Sequence, residues 1–281
     1  MRTTSNPVFR QLPRQEGGGY ANFGSGVTGA GQMGQQYGQY PQYQPYQQAP
    51  TTRAMTIDDV VTKTAITLGV LAVSAIVSYG LTNANTALAP LFAVGGGLIG
   101  FVLLMVAVFT RKMDNPVVVL SYAVFEGLFV GALSFMFTNI EFGGVGGKPL
   151  IAQAVLGTFG VFAGMLVVYK TGAIRVTPRF TRVIVGGIFG IVVLGLGNAI
   201  ASFFIDGGLG LRDGGPLAIV FSLVAIGFAA FSFLIDFDAA DQLIRAQAPE
   251  KAAWGVALGL TVTLVWLYTE ILRLLTYFNN D

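Results

Sequence analysis

The sequence contains neither cysteine nor histidine. The first absence excludes disulfides and thiolate metal sites, and leaves the redox state of the compartment unreadable. The second removes the usual proton relay and the usual metal ligand, so any pH response near neutrality must come from carboxylates moved off their ordinary pKa. Charge is also scarce. Asp, Glu, Lys and Arg make up 11% of the chain, against about 25% in a soluble domain. The net charge of +2 is too small to suggest a nucleic-acid partner. The sequence has no nucleophile elbow, no Walker loop and no HExxH. The GLGN run at 195–198 superficially resembles one motif of the aspartyl intramembrane proteases, but Asn198 supplies no carboxylate for an acid–base pair. The expectation is a protein that is not an enzyme and carries no cofactor.

What is present is apolar. Hydrophobic residues make up 53%, mean hydropathy is +0.67, and there are 38 glycines. Residues 1–55 are a separate material, rich in Gln, Tyr, Gly and Pro. They hold too little aliphatic surface to offset the entropy of ordering, which predicts a disordered tail. Residues 56–281 form the second unit. They contain seven apolar stretches near the ~20 residues a bilayer core requires: Thr64–Leu81, Leu91–Phe109, Pro116–Phe137, Leu150–Tyr169, Val183–Ile205, Pro216–Ile235 and Ala253–Tyr277. The expected fold is all-α, a polytopic membrane bundle of seven transmembrane helices with the lipid bilayer as its first partner. Lys and Arg gather in the N-terminal segment and alternate loops. That asymmetry places the N-terminus in the cytoplasm and the C-terminus outside, in a multi-pass protein of the cell membrane. Gly96/Gly100, Gly127/Gly131, Gly160/Gly164, Gly186/Gly190 and Gly255/Gly259 have the spacing that lets helices approach closely, and are expected to pack the spans together.

Against that background a few polar groups stand out. A carboxylate in hydrocarbon costs roughly 2.5–3.5 kcal/mol, so Asp236, Asp238, Glu270 and Glu126 are the first candidates for function. Counting residues from the turns places Asp238 near one membrane face, Glu126 near the middle and Glu270 further out, with Asp238 and Glu270 separated by roughly 15 Å in height. Two readings are open. Stacked carboxylates suit a cation path, because each replaces part of an ion's hydration shell. Alternatively they are structural: Glu270 pairs with Arg273 one turn on, Asp236 and Asp238 meet water at a span end, and Asn198 fixes helix rotation.

The run LIDFDAADQLI, followed by a Trp254-led span and TLVWLYTEILRLL, resembles the Bax inhibitor-like family, bacterial branch. The opening MRTTSNPVFRQL and the segment YAVFEGLFVG, Tyr122–Gly131, are similar to it as well. The resemblance implies a calcium leak gated by protons, with a pair of acids in the last two spans acting as a latch. Phe237-Asp238 matches the first acid, with Asp236 as its neighbour. Tyr268–Ile271, YTEI, puts Glu270 in the place of the second, an aspartate in the family. The segment joining the two acids is longer than is usual there. Glu126, in FEGL, matches the family's acid in the third span. The resemblance thus implies calcium or other cations as partners, held transiently at Asp238 and Glu126, and no resident metal. The competing reading is a regulator that binds another membrane protein, such as a quality-control protease, without transport.

Overall fold

The computed structural model describes residues 53–138 and 147–279. Seven helices among them are long and apolar enough to cross a membrane: α1 (Ile57–Ala84), α2 (Leu88–Phe109), α3 (Pro116–Thr138), α4 (Gly147–Thr171), α5 (Pro178–Ala201), α6 (Pro216–Arg245) and α7 (Ala253–Phe278). The only β-type pairing among the described residues is one isolated bridge, Ala54 to Pro249. The tail expected over residues 1–55 lies outside the described residues except for its last few.

Local chemistry sets the helix ends. Thr56 and Asp59 open α1 with a reciprocal cap: Asp59 Oδ2 accepts from the Thr56 amide at 2.8 Å, and Thr56 Oγ1 accepts from the Asp59 amide. Each bond satisfies a donor the first turn would otherwise leave free. Proline begins α3, α5 and α6, where its missing N–H costs nothing. The chain leaves α2, α4 and α6 through Arg111, Gly172 and Gln247, all at positive φ. Each is followed by an amide that reaches back five residues, Lys112 to Ala107, Ala173 to Val168 and Ala248 to Leu243, a geometry that satisfies the last carbonyls.

α1 and α5 begin earlier than the expected spans, at Ile57 and Pro178, and two C-terminal ends differ by a turn or more. The fifth span stops at Ala201 rather than Ile205, because Ser202 Oγ turns back to the Ala199 carbonyl and Gly207 and Gly208 carry the chain into a loop at positive φ. The sixth continues past Ile235 to Arg245, which places Asp236 and Asp238 inside a helix rather than at its end. Its added turns are held by four-residue contacts, Gln242 to Asp238 and Arg245 to Asp241.

α7 is the central helix. It packs on α1, α3, α4 and α6 and carries the longest run of buried residues. α2 lies against α3, and α5 against α6. The closest pairing is α1 with α3. Ser74 Oγ and Ser78 Oγ, one turn apart, donate to the Val124 and Leu128 carbonyls at 2.6 and 2.7 Å. Those bonds need near contact of two backbones, and Gly127 and Gly131 permit it: a Cβ at either would run into the α1 carbonyls of Leu71 and Ala75. Gly96 serves α2 against α3 in the same way. The expectation for the other glycine pairs is corrected in part. Gly160, Gly164, Gly186 and Gly190 meet nothing within 4 Å. They lie on open faces of α4 and α5 and pack against no other helix among the described residues.

The residues before α1 are folded onto the turn joining α6 and α7. The Met55 amide donates to the Ala248 carbonyl and the Glu250 amide to the Arg53 carbonyl, both at 2.8 Å. Met55 is 1% exposed. Lys63 Nζ closes the joint on the Glu250 carbonyl at 2.8 Å and Oε1 at 3.2 Å.

Candidate intramembrane acid site

The bundle has a basic end. Arg53, Arg111, Lys112, Lys170, Arg175, Arg245 and Lys251 lie at or beside the 110–115, 172–177 and 246–252 turns. Lys251 Nζ meets Asp114 Oδ2 at 2.7 Å and draws that carboxyl below the usual range. The loop 202–215 marks the far end. α6 descends to the basic end and α7 rises from it, so the two form an antiparallel hairpin.

Asp236 is the acid that joins this hairpin. Thr263 Oγ1 donates to Asp236 Oδ2 at 2.8 Å, and Gly259 leaves room beside Oδ1. Asp238, two residues on, is rotated by about 200° on the helix and points away from α7. Its Oδ2 accepts from Gln242 Nε2 at 2.6 Å, and it lines a cavity shared with Tyr169 and Asp241. Asp241 is taken up by Arg245 at 2.8 Å.

Glu126 is half-buried where α3 crosses α2, and a Cβ at Gly100 would lie 2.7 Å from its Oε2. Gly100 is therefore the gap that holds this carboxylate. No ion pair or hydrogen bond engages Glu126 among the described residues. Its depth follows from register on α7. Tyr122 packs in a cluster with Leu258 and Val262, and Ser134 Oγ lies 2.7 Å from Tyr268 Oη. α3 and α7 run parallel, so Glu126 levels with residues 260–262. The Asp236–Thr263 bond levels Asp238 with residue 261. Glu126, Asp236 and Asp238 thus occupy a band about one helical turn tall, ~5 Å. This replaces the expected spread of Asp238 and Glu126 over different depths. The residue count assumed that all helix ends share one plane, and they do not. Among the described residues no three acids come together as a ready metal-binding cluster.

Glu270 sits about nine residues beyond that band, ~13 Å outward. It is 3% exposed; Arg273 Nη1 donates to Oε1 at 2.8 Å, while Oε2 is buried without a partner. Asp238 and Glu270 therefore do not meet here. Arg212, from the 202–215 loop, approaches the same group. Desolvation first, then the neighbouring Arg273 guanidinium, lowers its pKa. Asn198 holds that loop: its Oδ1 accepts from the Leu209 and Leu211 amides at 2.9 and 3.3 Å. Residue reading missed Thr263 and Gln242, the partners of the two aspartates. The Asp238–Gln242 spacing of four was a usable signal, and nothing in the sequence pairs position 236 with 263.

The family model described as Bax inhibitor 1 like matches residues 6–280. No curated protein is significantly similar to the chain.

Proposed function

This chain belongs to the Bax inhibitor 1 like family, and from that premise we propose that it is a cation leak channel or exchanger gated by the protonation of its intramembrane carboxylates. Calcium is the cation the family resemblance suggests. One observation carries the reading: Glu126, Asp236 and Asp238 lie within spans, at one level, and none makes an ion pair among the described residues. An uncompensated carboxylate at such depth is stable when protonated or when a cation stands beside it. Glu126 and Asp238 are the transient cation ligands of this reading. Asp236, tied to α7 through Thr263, couples protonation to the hairpin. Glu270 is neutralised by Arg273 and acts as a structural anchor. The Lys/Arg asymmetry supports a cell-membrane protein with its N-terminus and basic end in the cytoplasm and its C-terminus outside. The reading requires no cofactor and no catalysis.

The test is calcium flux into liposomes holding the purified full chain, across pH 5–8. We expect flux above protein-free vesicles, lowered about tenfold at every pH in Glu126→Gln, since one ligand lost from a path costs on the order of 1–2 kcal/mol. Asp238→Asn is expected to retain flux and lose its pH dependence. Flux no greater than in empty vesicles would sink the transport reading. The chain would then stand as a regulator of another membrane protein.

A further inference from the structure

Two cavities meet between α1 and α4. α1 packs on α3 and α7, and α4 on α6 and α7, which leaves a slot between them. At the basic end its volume is about 870 Å³, and above that a second part of about 550 Å³ continues toward the far end. Leu68, Phe159 and Leu264 line both parts, so the slot is continuous. The upper part is almost wholly apolar, with the Ser134–Tyr268 pair at its floor. Ile57 and Leu68 bound the lower part along α1, a rise of about 16 Å, close to the ~15 Å of one leaflet's hydrocarbon.

The mouth of the slot is cationic on one wall. Lys170 and Arg175 line it and make no ion pair or hydrogen bond among the described residues. No Asp or Glu occurs from residue 142 to 205, so neither α4 nor α5 carries a counter-charge. On the α6 wall Asp241 is paired with Arg245, and Asp238 accepts from the neutral Gln242 amide and keeps its charge, so neither is paired with Lys170 or Arg175 among the described residues. Deeper in, Thr64 Oγ1 lines the same cavity, is 8% exposed and has no hydrogen-bond partner. A buried hydroxyl left without a partner is costly and marks a place for an acceptor.

We propose that this slot binds one anionic phospholipid from the leaflet at the basic end, its phosphate held by Lys170 and Arg175, an ester carbonyl accepting from Thr64 Oγ1, and an acyl chain running past Leu68 and Phe159. Bare cations beside an apolar channel one leaflet deep suit that molecule and not a free anion, which would leave the channel empty. The lipid proposal does not rest on ion transport, although Asp238 lines the same cavity.

Native mass spectrometry of the full chain in a neutral detergent tests it, with equimolar phosphatidylglycerol and phosphatidylcholine of matched chains. Phosphatidylglycerol is expected to be retained about tenfold over phosphatidylcholine. Lys170→Ala combined with Arg175→Ala brings the two lipids to parity. Ala65→Phe, which fills the slot from α1, and the milder Ala65→Leu lower retention of both lipids. Equal retention by the unaltered chain means an unselective lipid shell and overturns the proposal. So does a preference that survives the double alanine variant, or retention at the unaltered level in both Ala65 variants.

Discussion

The four acids of the spans differ by what each side chain touches. Glu270 and Arg273 form a buried pair. Removing one partner strands the other charge, and Glu270→Gln is expected to cost about 3 kcal/mol. Glu270→Gln with Arg273→Met is expected to recover most of that, read from thermal unfolding of the purified chain. A double variant no more stable than the single one would show that the pair is not the source of the loss. Asp236 gives a different signature. Asp236→Asn keeps an oxygen for the Thr263 hydroxyl and is expected to change stability little. Thr263→Val leaves Asp236 Oδ2 without its donor and is expected to cost about 1–3 kcal/mol. Equal effects of the two substitutions would contradict the 2.8 Å bond.

Helices pack or end according to a few atoms. The α1–α3 contact depends on the absent Cβ at Gly131, so Gly131→Ala must push α1 away and weaken the Ser78 bond to Leu128. Its expected cost is about 1–3 kcal/mol. Gly160→Ala, on an open face, is the control and is expected to be neutral or slightly stabilising. At the end of α6, Gln247 sits at φ 52°. A side chain there costs roughly 1–2 kcal/mol, so Gln247→Gly is expected to raise stability by about 1 kcal/mol. The Asp114–Lys251 contact joins the α2–α3 and α6–α7 turns. The folded pKa of Asp114 lies below its unfolded value, so its contribution is present at neutral pH and is lost as pH falls through the folded value. Exposure keeps that contribution under about 1 kcal/mol.

For the whole molecule, the joint between residues 53–56 and the α6–α7 turn sets how much of the N-terminal segment is dispensable. Deleting residues 1–50 is expected to leave the unfolding midpoint unchanged. Deleting 1–56 removes buried Met55, two backbone bonds and the cap of α1, and is expected to cost several kcal/mol, about 2–5 from Met55 alone. Equal midpoints for the two deletions would show that the joint contributes nothing. The chain lacks cysteine, so single introduced cysteines report its orientation. Asp206→Cys in intact cells is expected to react with an impermeant thiol reagent, and Ala173→Cys is not; the reverse pattern inverts the proposed topology.

The number of spans, their approximate places and the acids within them are readable residue by residue, because hydrocarbon imposes the same requirement on every segment it contains. Leu91–Phe109 and Pro116–Phe137 show it, with bounds close to the observed helices. The family was legible in the same way, from short motifs at both ends and the middle. Only the tertiary structure decided which neighbour each polar group meets. Gly127 and Gly160 carry the same spacing, yet one lies on a carbonyl of α1 and the other on open space. Asp236 and Asp238 are two residues apart, and a rotation of about 200° gives one to Thr263 and the other to Gln242. Span detection depends on composition along the chain, which is local. Partner choice depends on the rotation and height of each helix against its neighbours, and those are fixed by the packing of all seven together.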